Sequence, residues 1–156
     1  MSISSRKKWV PALAGTLALV FAGTALAQGS KEAEAAIKYR QSLYTVVYNN
    51  FGPLGAMASG KAPFDAAVFQ RNAARVAFLS SIAPDVFPEV SKTGNTKAKP
   101  EIWANKAEFD KLMKDFGDKS NALASASKTG TLDGVKAAFG ATAGACKACH
   151  DKFKAE

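Results

Sequence analysis

Residues 132–154 read LDGVKAAFGATAGACKACHDKFK, and their spacing decides the fold. Leu132, Val135, Phe139, Thr142, Cys146, Cys149, His150 and Phe153 recur at helical steps, the pattern of an amphipathic α-helix. The stripe a helix buries is its apolar one. Cys146, Cys149 and His150 share that stripe, so whatever they hold is expected inside, between packed helices. The 156-residue chain has two cysteines and one histidine, and all three fall in CKACH at 146–150.

Two cysteines three apart with a histidine straight after read as an attachment site for c-type haem. Each thiol adds across a haem vinyl group to form a thioether. On a helix, positions i, i+3 and i+4 share a face, so Cys146, Cys149 and His150 can grip one ligand from one side. The imidazole then serves as an axial ligand to iron, as histidine does in many haem proteins. Other readings of the motif explain less. Structural zinc sites take four nitrogen or sulfur ligands, and only three such side chains exist here. A thioredoxin-like redox pair belongs beside a βαβ pattern, which is absent. A plain disulfide leaves His150 unexplained.

Working back along the chain, three more helical segments appear. Segment A spans about 31–59, with Ile37, Tyr44, Val47, Phe51 and Leu54 inward and a kink or break expected at Gly52-Pro53. Segment B spans about 63–82, with Pro63 in its first turn and Val68, Phe69, Val76, Leu79 and Ile82 on its face. A loop rich in Pro, Gly and polar residues follows, from about 83 to 99. Segment C spans about 100–128, with Phe109, Leu112, Met113, Phe116 and Leu123 on one side. Gly130 then stops the helix and Thr131 caps the next. No strand pattern appears. The predicted fold is all-α, an antiparallel up-down-up-down four-helix bundle with haem buried inside near the C-terminal helix.

The N-terminus predicts the compartment. Arg6, Lys7 and Lys8 precede an apolar stretch that ends in Ala25-Leu26-Ala27, the form of a cleaved secretory signal. Residues 1–27 are therefore expected to be removed, leaving one domain over 28–156 in the periplasm, with no membrane association after cleavage. Cleavage takes three positive charges and no negative ones, lowering the net charge from +8 to +5. The remaining lysines are interleaved with acids and form no basic stripe, which argues against nucleic-acid binding.

Taken together, these segments resemble the cytochrome c′ family. Ala36-Ile37-Lys38-Tyr39-Arg40-Gln41 is similar to that family's first-helix signature. Lys99-Pro100-Glu101-Ile102-Trp103 is similar to its entry to the third helix. Ala137-Ala138-Phe139-Gly140 and Cys146-Lys147-Ala148-Cys149-His150-Asp151 resemble its fourth helix. The resemblance implies one covalent haem c per subunit, held by Cys146 and Cys149 with His150 on the iron. It implies Arg40 and Gln41 toward the cofactor, Arg40 pairing with a propionate through its planar fork. It implies a five-coordinate iron that binds nitric oxide and carbon monoxide, in nitric oxide detoxification or associated electron transfer with a redox partner protein. It also implies a homodimer through segments A and B, with Leu43, Val46 and Tyr48 on the outer faces of A.

The resemblance further places Tyr44, one turn after Arg40, as a lid over the open side of the iron, where many members carry Leu. Four residues after the axial histidine, where the family tends to carry Arg, stands Lys154, a proximal neighbour without the planar fork. Trp103, Phe109, Phe116 and Phe139 are candidate haem-lining aromatics. The chain reads as a gas-binding or electron-transfer protein, not an enzyme. Two alternatives stand beside this. One is a six-coordinate electron carrier with Met57 or Met113 as the second axial ligand. The other is a small haem peroxidase, which would want a distal base.

Overall fold

The computed structural model describes residues 18–156, with side-chain environments from residue 29 onward. The expected signal over 1–27 thus falls mainly outside the described residues. Its expected cleavage point, after Ala27, lies within the first helix, α1 (Ala18–Ala58). The other helices are α2 (Ala66–Ile82), α3 (Glu101–Ala104), α4 (Lys106–Ala126) and α5 (Leu132–Phe153). α1 packs on α2 and α5, and α4 packs on the same two, so the four long helices form the expected antiparallel bundle. Among the described residues no helix is long and apolar enough to cross a membrane.

Local chemistry sets the helix ends. Asp65 is extended, and its carboxylate accepts from the Val68 backbone N–H at 2.9 Å. That cap starts α2 three residues later than the Pro63 expected from sequence. Thr131 caps α5 in the same way, its hydroxyl accepting from the Gly134 N–H at 3.2 Å. Gly130 just before it takes a left-handed φ of 68°, a conformation glycine adopts without steric cost.

Two expectations about helix continuity need correction. α1 runs unbroken through Pro53. Gly52 and Pro53 lie on its exposed side, while Phe51 and Leu54 on either side of them face the core. Segment C, conversely, is two helices. Asn105 leaves helical geometry at φ −118° and ψ 48°, which separates the short α3 from α4. α3 buries Ile102, and the indole N–H of its Trp103 donates to the Phe87 carbonyl at 3.1 Å.

The interior divides into two clusters. One holds Leu43, Val47, Val76, Val86, Ile102, Phe109, Met113, Phe116, Ala145 and Phe153. Tyr44, Phe87, Trp103, Cys146 and Cys149 pack against it. The other, at the opposite end, holds Leu54, Met57, Phe69, Ala73, Leu123 and Val135. Leu43 is buried, at 8% exposure, so it leaves the outer face of α1 where the sequence reading placed it. It comes one residue before Tyr44, and the two divide the core-facing arc of the helix.

Candidate functional site

The site forms where α5, α1 and the loop from residue 83 to 100 meet. On α5, Cys146 and Cys149 are half-buried against the first cluster and are not joined to each other. His150 sits at the edge and is exposed. This corrects the expectation that all three lie on the buried stripe. Adjacent helical residues point about 100° apart. With Phe153 filling the buried position, His150 falls on the margin.

The electrostatics suit ligation and covalent attachment better than thiol redox chemistry. Burial pushes the Cys149 thiol up to about 11, helped by its neighbour Cys146. Burial also raises Cys146, against a backbone hydrogen bond that lowers it. Reactive redox cysteines show the opposite shift. Partial burial, then the positive charge of Lys154, lower the His150 pKa, and Asp151 opposes them. A neutral imidazole is the form that binds a metal. Among the described residues no three His, Cys, Asp or Glu side chains converge to hold a bare metal ion.

Tyr44 comes from α1 into the same space. Burial, then Cys149 and Cys146, push its phenol well above the ordinary range, while Arg40 pulls it down. Its ring meets Phe87 edge-on at 6.2 Å. Phe87 also packs edge-on against Phe109 at 4.8 Å and Trp103 at 6.4 Å.

Arg40 is 4% exposed. Its Nη1 donates to the Ser91 hydroxyl at 2.5 Å and to the Val86 carbonyl at 3.3 Å. Nη2 donates to the Ser91 carbonyl at 3.1 Å and the Thr96 hydroxyl at 2.9 Å. The guanidinium also lies over the Phe87 ring, at 4.9 Å. All four acceptors are neutral, and burial lowers its pKa with no carboxylate acting on it. Buried charges are normally paired, so this cation fits an anionic partner such as a haem carboxylate. Gln41 is exposed and donates to the Asn95 carbonyl at 3.0 Å.

Lys154 projects into solvent. Its backbone does more: the N–H caps α5 at the His150 carbonyl, 3.1 Å away, and the residue pairs antiparallel with Ala98. Of the candidate lining aromatics, Trp103, Phe109 and Phe116 are in the cysteine cluster. Phe139 is not. It stacks on Phe51 at 4.8 Å and packs on the other cluster. The two methionines part likewise. Met57 lies in the far cluster, its sulfur accepting from the Asp65 N–H at 3.4 Å, whereas Met113 is in the cysteine cluster.

Sequence reasoning missed Phe87, Ser91 and Thr96. Phe87 had a signal, as the one aromatic in a polar, proline-rich loop. Ser91 and Thr96 had none, since their role depends on where Arg40 arrives.

On the outside of α1 and α2, Tyr39, Val46, Tyr48 and Phe78 are exposed, Tyr48 at 75%. Val46, Asn50, Ala74, Arg75, Phe78 and Leu79 line a shallow groove between the two helices.

A family profile described as Cytochrome C' matches residues 35–154. The cytochrome c' of Rubrivivax gelatinosus is 48% identical over 120 residues, covering 76% of this chain and 93% of that one. The solved structure of cytochrome c prime from Shewanella frigidimarina is similar at TM-score 0.76 and 44% identity, covering 80% of this chain and 97% of that one. A nitric oxide complex of a single-site mutant of cytochrome c prime from Alcaligenes xylosoxidans matches at TM-score 0.73 and 36% identity, over 80% and 97% of the two chains.

Proposed function

The chain belongs to the cytochrome c′ family and carries covalently bound haem c, and from this premise we propose that it binds nitric oxide and carbon monoxide at a five-coordinate iron. Bound haem supplies an iron with an open position for a small diatomic ligand. Cys146 and Cys149 would hold the cofactor through their sulfur atoms, and the His150 imidazole would bind its iron. Arg40 supplies the buried positive charge for a propionate, with Gln41 beside it. Tyr44 would lie over the face of the iron away from His150, where a small ligand would have to move it.

The observation that carries this reading is the placement of Tyr44. Its ring packs edge-on against Phe87 and against the same core cluster as Cys146 and Cys149. Met57 is at the other end of the bundle. A nitric oxide complex is known for the relative from Alcaligenes xylosoxidans, which supports the same ligand here.

A binding or electron-transfer role is favoured over catalysis. The polar side chain that α1 brings against the cysteine cluster is a phenol, not an imidazole or carboxylate base. We further propose that residues 1–27 are removed on export to the periplasm. The mature domain, 28–156, then pairs as a homodimer through the exposed apolar groups of α1 and α2. Lys154 acts on the proximal side through its charge on His150.

The deciding measurement is the visible spectrum of the ferrous protein with and without carbon monoxide. A broad high-spin spectrum that shifts on carbon monoxide is expected. A sharp low-spin band indifferent to carbon monoxide would overturn the proposal. It would favour the six-coordinate carrier, for which Met113 is the better-placed ligand.

A further inference from the structure

We infer that Thr96 is a positioning residue that couples the Tyr44 side of the haem site to the axial-histidine side through the polypeptide itself. The inference rests on the haem reading above but adds a residue and a route that the family match does not supply.

The route combines one turn of helix, a chain of hydrogen bonds and a β-bridge. Tyr44 lies one turn beyond Arg40 on α1. The Arg40 guanidinium donates to the Thr96 hydroxyl at 2.9 Å. The same oxygen accepts the Ala98 backbone N–H at 3.0 Å. Ala98 pairs with Lys154. Beside that pair, the Lys99 N–H donates to the Phe153 carbonyl at 2.9 Å and the Ala155 N–H to the Lys97 carbonyl at 2.8 Å. The Lys154 N–H closes the route at the His150 carbonyl, 3.1 Å away. Residues 94–99 therefore form a strap with one end on α1 and the other on the turn that carries His150.

The strap is also pressed into place. Gly94 has a φ of 130°, and a Cβ there would come within 2.8 Å of the Ile37 side chain. Glycine adopts that φ freely, whereas a larger residue would be strained there and would also displace the tip of Ile37. On the same side, Gln41 holds the Asn95 carbonyl. Close-packed segments transmit displacement instead of absorbing it. Motion of Tyr44 and its helix thus reaches the His150 turn through Thr96. A hydroxyl can accept two hydrogen bonds, which lets one side chain join both arms.

Thr96→Val keeps the shape and removes both acceptor sites, and Thr96→Ser keeps them. In the intact haem protein, Tyr44→Leu should alter both carbon monoxide affinity and the iron–histidine stretching frequency. In the Thr96→Val background, the frequency change caused by Tyr44→Leu should vanish. The affinity effects of the two substitutions should then deviate from additivity by about 2- to 30-fold, the usual range of coupling. Thr96→Ser should restore the coupling. Independently of gas binding, Thr96→Val should speed amide exchange at Ala98, Lys99 and Ala155 about tenfold or more, while Thr129→Val at the far end should not. Additive affinities with an unchanged frequency response overturn the inference, as does an equal effect of Thr129→Val. Loss of haem on denaturation would instead overturn the covalent reading, and the exchange measurement keeps the two failures apart.

Discussion

The two ends of the bundle are built on opposite plans. The far end mixes aliphatic side chains with Phe69 and Phe139 and is closed by short connections. Leu54, Ala73, Leu123 and Val135 have no exposure at all, and Asp65 and Thr131 cap the helices that start there. The cysteine end is aromatic and closed by the long loop after α2. Its wall residues Tyr44, Phe87 and Trp103 are half-buried, and each carries a polar group or sits on one. Its buried cation, Arg40, bonds to loop atoms instead of to a carboxylate. The far end buries apolar side chains and keeps its polar groups at the helix caps, while the other end brings a buried guanidinium and an indole N–H inward, an arrangement that suits a large, flat, anionic cofactor.

That contrast can be broken by experiment. The largest effect belongs to the cysteines. Replacing Cys146 and Cys149 together by Ala should abolish covalent haem, so that acid–acetone extraction of the denatured protein removes all colour. Haem that survived extraction would disprove the thioether assignment.

Next come the two cores. Leu123→Ala at the far end should cost about 2–5 kcal/mol of stability by urea denaturation and leave the carbon monoxide difference spectrum unchanged. Phe87→Ala should do the reverse, shifting carbon monoxide affinity by more than its share of stability. Equal spectral effects from both would erase the distinction between the ends.

The methionines sharpen it further. Met57→Leu should be close to neutral, less than about 1.5 kcal/mol, with no spectral change in either oxidation state. A lost low-spin band in that variant would put the far end on the iron.

The smallest expected effect is at the caps. Thr131→Ala and Asp65→Ala should each cost about 1 kcal/mol in thermal or urea unfolding and leave ligand binding untouched.

Alkaline titration tests the lid in another way. The Tyr44 phenol is raised in the folded state, so above the ordinary tyrosine pKa of about 10 the unfolded chain releases that proton while the folded one keeps it. Stability should fall as pH rises through that region, and Tyr44→Phe should remove that part of the loss. An identical alkaline profile in the variant would show Tyr44 to be solvated.

Much of this could be read in the one-dimensional pattern. Apolar spacing identified four long helices because a helix repeats every few residues and depends only on neighbours in sequence. The C-x-x-C-H motif is equally local, so the expectation of haem c followed from five adjacent residues, and Gly130-Thr131 marked a helix boundary by backbone preference. The errors were of another kind. Leu43 and Tyr44 are adjacent, and no local rule says which one enters the core completely. Phe139 has the same chemistry and periodicity as Phe109, yet it lies in the other cluster.

What sequence determined by itself was therefore the helical class, the C-terminal limits of the long helices to within a few residues, and the cofactor chemistry, each a property of short-range order; the start of α1 at Ala18 and the split of segment C at Asn105 were not among them. Only the tertiary structure decided which methionine stands near the cysteines, that Arg40 meets Ser91 and Thr96, and that the loop ties the end of α5 back to α1. Those contacts join residues about fifty positions apart. They depend on how whole helices pack, where burial and the satisfaction of buried polar groups outweigh any local preference.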